Sequence, residues 1–410
     1  MTDQLSNPGR RRAMMTGGSL VALTGWSGLA GADGVRVDPA AKKTASGAKA
    51  LPDYAQWKDA DAMIVHSANT IEQKRSAFGA STITPSDRLY VRNNLNPPDA
   101  SIVQDPDAWM LEVQGVGQPR SLSLAELKTL GLQSVTMVLQ CSGNGRAWFP
   151  HGPSGTQWTV GAAGCVVFTG VPVKAVVQAL GGVADGMVYM TGTGGEIIPE
   201  GLDPKTVMIE RSVPLEALDN AILAWELNGE ALPLAHGGPL RMVVPGYMGV
   251  NNVKYVKQLA FTKDQSPAKI QQTSYRFSPV GVKGTPEFPS LWEMPVNSWI
   301  THPFEPGQSA KAGRVQISGV ALGGTHEVKQ TEVSVDGGKT WLQASYIGPD
   351  MGPFAWRTFT LGVDLKPGKY QLVSRTTNAA GKVQPEHREE NERGYNNNSW
   401  LDHGFELEVV

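Results

Sequence analysis

Cys141 ends an apolar run, Val135-Thr136-Met137-Val138-Leu139-Gln140, and opens a loop of small residues, Cys141-Ser142-Gly143-Asn144-Gly145-Arg146. Glycine lets backbone approach a ligand closely. Arg146 could favour the thiolate over the thiol and also hold an anion. A soft thiolate beside an anion-binding cation, at a strand end, outlines a metal site that handles oxyanions. Two plainer roles compete for the same residue. Cysteine often serves as a small core hydrophobe, and a bond to Cys165, the other cysteine, would close a loop of about 25 residues and contribute roughly 3 kcal/mol.

Further cations stand beside Gly, Asn or Pro instead of on helix faces. Arg92 lies in Leu89-Tyr90-Val91-Arg92-Asn93-Asn94, where a strand breaks into Pro97-Pro98. His236 and Arg241 lie in His236-Gly237-Gly238-Pro239-Leu240-Arg241, Lys254 follows Asn251-Asn252-Val253, and Arg393 precedes Gly394. Taken singly, each reads as a solvated or salt-bridged surface charge. Together, glycine-rich loops carrying His, Arg and Lys suit a phosphate-bearing cofactor, because backbone N–H groups and cations share the anion. Nicotinamide and nucleotide readings lack their glycine motifs. No two histidines stand at i, i+4 and no C-x-x-C-H occurs, so a zinc protease or attached haem is unsupported. Ser142 is outside any G-x-S-x-G, which leaves a serine hydrolase weak.

The chain is 410 residues long, 40% hydrophobic and carries a net charge of −2. It can build two or three cores. Without a basic stripe, nucleic acid is not an expected partner. Arg10-Arg11-Arg12 precede a weakly apolar stretch, Met14 to Leu29, and Ala30-Gly31-Ala32 offers a small-residue cleavage site. Residues 1–32 therefore read as a twin-arginine signal, with a basic disordered tail as the plainer alternative. That signal predicts a protein exported already folded to the periplasm. No later segment reaches about 18 apolar residues, so membrane insertion is not expected.

Residues 33–84 read as an arm around the body, with one helical-looking piece near Asp53 to Ala62. Ser123 to Leu130 reads as a helix with a capping box, Ser123 paired with Glu126. Leu111-Glu112-Val113 and Leu240 to Val244 read as strands. Gln265 to Pro295, with five prolines, reads as a connection between domains. Beyond it, Arg314 to Ile317 and Glu332 to Val335 alternate with period two. Asp336-Gly337-Gly338-Lys339 suits a tight hairpin, with Trp341 starting the next strand. Tyr370 to Thr376 adds a strand, and the set suggests a sandwich of immunoglobulin type.

These separated loops, in this order, resemble the sulfite oxidase family of molybdenum enzymes over about residues 85–410. The resemblance implies an α+β molybdopterin-binding catalytic domain at 85–278 and an immunoglobulin-like dimerisation domain at 279–410. It implies that Cys141 ligates molybdenum, and that Arg92, Asp203 (in Gly201-Leu202-Asp203), His236, Arg241 and Lys254 bind the molybdopterin, one per chain. Arg92, Arg146 and Arg393 would surround the substrate, with Tyr275 at the active site and Trp158 as an aromatic wall. Asn94 replaces the family's usual histidine after Arg-Asn. The implied reaction is oxidation of sulfite to sulfate by a homodimer with no haem in this chain, so electrons pass to a separate cytochrome. The rival readings are a sulfane dehydrogenase or sulfoxide reductase of the same fold, and a non-catalytic periplasmic binding protein with Cys141 bonded to Cys165, which is otherwise a core residue.

Overall fold

Short apolar and alternating runs dominate the chain, and they fold chiefly as strands. The computed structural model describes residues 49–305 and 307–410. The arginine-bearing leader and the start of the arm lie outside the described residues.

The described part of the arm is folded structure. Met63–Ser67, Thr70–Gln73 and Val91–Arg92 form a small antiparallel sheet, with Thr70 opposite Arg92. Two 3₁₀ turns, Asp53–Ala55 and Ala60–Ala62, stand where one helical piece was expected. The break has a local cause. The Asp59 carboxylate accepts from the N–H groups of Asp61 and Ala62, which a continuing helix would send to earlier carbonyls.

Two larger sheets carry the centre of the chain. One runs Glu230–Ala231, Ile222–Leu227, Ala163–Pro172, Gln133–Gln140, with Arg241–Val243 also paired to Ile222–Leu227. The other runs Arg120–Ser123, Met110–Gln114, Val256–Thr262, Tyr189–Gly194, Glu210–Pro214. Helix Leu124–Thr129 starts with the expected capping box, and Leu124 and Leu127, on one face, enter the core with Leu111, Val176, Met242 and Leu259. The register Gln140↔Ala163 ends the first sheet's edge at Cys141.

The remaining strands form an immunoglobulin-like sandwich. One sheet runs Asn297–His302, Gly313–Leu322, Arg357–Leu365, Ser345–Ile347; the other runs Leu342–Gln343, Val328–Ser334, Gly368–Asn378, Phe405–Val409. Ile317, Val333, Phe359, Leu372 and Leu407 fill the space between. In the expected hairpin, Asp336 Oδ1 accepts from Lys339 and Thr340 N–H, and Gly337 and Gly338 take φ of +74° and +89°. The next strand begins at Leu342, because Trp341 turns to meet Trp400 edge-on and carries the Arg375 guanidinium 4.2 Å from its ring.

The proline-rich connection is laced to the segment Gly246 to Asn251 beside the central sheets. Met248 N–H donates to Trp292 O, Met294 N–H to Gly246 O, and Asn251 Nδ2 to Leu291 O and Trp292 O. The C-terminal segment also returns: Asn397 Nδ2 donates to Gly145 O at 2.9 Å. At the other end, fully buried Glu72 ties the small sheet to the segment after Trp158. Its Oε1 accepts from Thr159 N–H, Thr159 Oγ1 and Gly161 N–H, and Oε2 lies 2.7 Å from His66 Nε2. Glu72→Ala strands these buried donors and is expected to cost about 3–5 kcal/mol in denaturant unfolding. A loss below about 1 kcal/mol, the worth of an ordinary hydrogen bond, would contradict the clasp.

Candidate active site

The register of Gln133–Gln140 delivers Cys141 to the floor of a cavity of about 630 Å³, counted to its open mouth. Cys141 N–H donates to Ala162 O, and Asn144 Oδ1 accepts from Ala162 N–H, so the loop is pinned from both sides. Gly145 takes φ +82°, and a Cβ there would lie 2.7 Å from the Asn397 side chain. Both thiols are free and buried, with Cys165 paired across from Val138 in the core. Burial pushes the Cys165 thiol up to about 12. Ser142 also faces the cavity, and its hydroxyl lacks a partner among the described residues.

Arg92, His236, Arg241 and Lys254 also line the cavity. Arg92, Arg241 and Lys254 donate to neutral oxygens. Arg241 donates to Asn252 O at 3.2 Å and His236 O at 2.9 Å. Lys254 Nζ donates to Asn93 Oδ1 and Ala235 O, both at 2.6 Å. Arg92 bonds Asn93 O and Asn94 Oδ1, so Asn94 serves as an acceptor for the arginine. Behind them Lys58 Nζ reaches Ser86 O at 2.8 Å, Leu89 O at 2.7 Å and His236 Nε2 at 2.9 Å. Burial, then mutual repulsion, holds His236 and Lys254 well below their ordinary pKa values. Burial also lowers Arg241 to about 10 and Lys58 to about 7.

Two tyrosines also line the cavity. Tyr275, at φ +50°, lines the cavity and stacks on Tyr395 with ring centroids 5.2 Å apart. Beneath Tyr275 sits fully buried Arg211, 5.7 Å from its ring, donating to Asn251 Oδ1 and Ile270 O. Burial lowers this guanidinium to about 9. Tyr90 lines the cavity, and burial raises its phenol far above the usual value, so it stays an O–H donor. Trp158 is fully buried and packs edge-on to Tyr90 at 6.3 Å, one layer behind the wall.

Cys141, Tyr275, Arg92, His236, Arg241 and Lys254 thus converge on one cavity. Trp158, Arg146, Arg393 and Asp203 stand outside its lining. Arg146 is buried under Gly143, donates from Nε to Arg393 O at 2.8 Å and from Nη1 to Thr156 O at 2.9 Å, and lies 5.3 Å from the Tyr395 ring. Arg393 is exposed. Asp203 is exposed and caps Pro204–Val207 by accepting from Lys205 N–H. Tyr90, Lys58, Glu196 and Arg211 were not anticipated. Period-two alternation with Arg92 could have signalled Tyr90; nothing local marks the others.

Residues 98–270 match a family model described as an oxidoreductase molybdopterin binding domain, and residues 289–406 a Mo-co oxidoreductase dimerisation domain. The chain is 33% identical to sulfite oxidase of Gallus gallus over 323 residues, covering 74% of this chain and 68% of that protein. It is 34% identical to mitochondrial sulfite oxidase of Homo sapiens, covering 78% of this chain and 60% of the relative, so it spans well under the human protein's full length. Sulfite oxidase of Arabidopsis thaliana is 30% identical, with 80% and 89% covered. Among solved structures, the sulfane dehydrogenase SoxCD from Paracoccus pantotrophus superposes with a TM-score of 0.71 at 26% identity, covering 84% of this chain and 88% of that chain.

The Lys58 amine predicts a pH signature. Its folded pKa of about 7 lies below the ordinary 10.5, so between these values the unfolded chain binds a proton that the folded protein lacks. Stability of the cofactor-free protein should therefore rise above pH 7, with this group contributing up to ~1.4 kcal/mol per pH unit. Lys58→Met should remove that contribution. Denaturant midpoints at pH 7 and pH 9 test it, and parallel slopes for the two proteins would refute it.

Proposed function

The chain belongs to the sulfite oxidase family of molybdopterin-dependent oxidoreductases, and on that premise we propose that it oxidises sulfite to sulfate at a molybdenum–molybdopterin centre and passes the electrons to a separate cytochrome. The observation that carries this reading is the convergence of one free thiol and a set of buried cations on a single cavity. The donor set fits the cofactor. Cys141 is the soft ligand a molybdenum ion takes, and His236, Arg241 and Lys254 match the anionic charge of a molybdopterin. When bound, that group supplies oxygen-atom transfer and storage of two electrons.

The chain's own residues then divide the work. Arg92, which lines the cavity as Tyr275 does, supplies positive charge for an oxyanion, and poor hydration strengthens that attraction. Arg146 shapes the pocket through its grip on the Thr156 and Arg393 carbonyls. Tyr90 and Tyr275 offer phenolic donors toward the reacting oxygens. No side-chain nucleophile is needed.

The homodimer reading rests on the match of residues 289–406. Periplasmic location rests on the Arg10-Arg11-Arg12 leader pattern alone. The likeness to the Paracoccus sulfane dehydrogenase favours a second reading, in which the substrate is sulfane sulfur on a carrier. Both cysteines are free, whereas the binding-protein reading joins Cys141 to Cys165.

Steady-state assays with sulfite and ferricyanide or cytochrome c test the proposal. Cys141→Ser should fold but lose sulfite turnover by more than about a hundredfold, beyond what loss of an outer-shell partner costs. Wild-type turnover in that variant would refute the ligand assignment. A molybdenum-loaded wild-type protein inert to sulfite yet active on carrier-bound sulfane would select the second reading. Arg146→Gln should raise KM for sulfite about ten- to a hundredfold at normal metal content. An unchanged KM would end its role in the pocket.

A further inference from the structure

The cavity contains one group that anion binding leaves unexplained, the carboxylate of Glu196. Strand Tyr189–Gly194 pairs with Val256–Thr262, and the register Val256↔Gly194 sets the turn after Gly194 against Lys254. Glu196 lies on that turn and folds back over Gly194. A Cβ on Gly194 would sit 2.1 Å from Glu196 Oε2 and 3.2 Å from Lys254 O, so this pose requires glycine there. Oε2 is buried and has no hydrogen-bond partner among the described residues. Burial lifts the carboxyl to about 7, against a hydrogen bond from its own backbone N–H and the pull of Lys254 and Lys257.

A buried, unpartnered acceptor is costly unless a ligand donates to it. Phosphate and sulfite are chiefly acceptors at neutral pH, and a carboxylate repels them. The amino-pyrimidinone edge of a pterin differs: it presents an amino group and a ring N–H next to a carbonyl oxygen. Glu196 and Lys254 offer the complementary order, acceptor beside donor. Two of the Lys254 ammonium's donors go to Asn93 Oδ1 and Ala235 O, which leaves a third. Asp203 is exposed and occupied in capping Pro204–Val207.

We infer that Glu196 accepts the amino and ring N–H groups of the pterin, with Lys254 beside it, and that Asp203 takes no part in holding the cofactor. This rests on the molybdopterin reading above. Dialysis of the purified holoenzyme tests it, with retained cofactor measured as the fluorescent pterin formed on oxidation. Glu196→Ala should release molybdopterin at least about tenfold faster than wild type, since losing even one of its two charge-assisted hydrogen bonds is worth that much. Glu196→Gln, which keeps one acceptor oxygen and the side-chain shape, should fall between them, and Asp203→Ala should match wild type. Thermal midpoints of the cofactor-stripped proteins should be comparable, which separates loss of a contact from loss of fold; should the Ala variant unfold, the Gln variant carries the comparison. Wild-type release rates in both Glu196 variants, or release from Asp203→Ala as fast as from Glu196→Ala, would overturn the assignment while the family cofactor stands. A wild-type protein that yields no pterin at all would overturn the cofactor reading and this assignment together.

Discussion

Buried positive charge is the constraint around which this protein is organised. Lys58, His236, Arg241 and Lys254 crowd one another, and burial opposes the charge on each. Carboxylates relieve part of that cost at a distance, Asp87 for Lys58 and Glu196 for Lys254. Most of the direct hydrogen bonds go to neutral oxygens: carbonyls of Ser86, Leu89, Ala235, His236 and Asn252, and the Asn93 amide. Their dipoles orient these groups and partly stabilise the charged forms that burial opposes. The cis Gly238-Pro239 bond and left-handed Gly237 lie within the loop that supplies two of these carbonyls.

Each carbonyl has to be held in turn, which explains why distant segments meet here. Arg241 leaves the sheet edge at Arg241–Val243 and reaches back to His236 O. Lys58 comes from the arm, whose sheet is fixed by Thr70 opposite Arg92 and by Glu72. The proline-rich segment brings Tyr275, supported by Arg211 below and Tyr395 alongside. The satellite segments are thus parts of the pocket wall.

The Cys141 loop and the His236–Arg241 and Lys254 loops were legible because glycine, asparagine and proline mark places where backbone must turn beside a ligand. Helix Leu124–Thr129 was legible from its capping box, and the sandwich from the short period-two runs Arg314 to Ile317 and Glu332 to Val335, which fall on or beside strands Gly313–Leu322 and Val328–Ser334. The arm was not, because strands as short as Thr70–Gln73 carry little pattern and gain stability only from pairing with Val91–Arg92. Lys58, Arg211 and Glu196 were also hidden. Each looks like an ordinary surface charge in its local sequence, and only tertiary burial makes it part of a pocket. Arg146 shows the converse: its placement after the thiol was informative, while its grip on Arg393 O depends on a segment from the far end of the chain.

That last contact bears on how the molecule is made. Arg146 holds Arg393 O and Asn397 holds Gly145 O, so the loop carrying Cys141 is finished only by residues near the C-terminus. During synthesis at the ribosome the thiol and most of the cations emerge long before their last supports. Closure of that loop is therefore strongly non-local, joining residues 247 and 252 positions apart, and contacts of that range form late in folding.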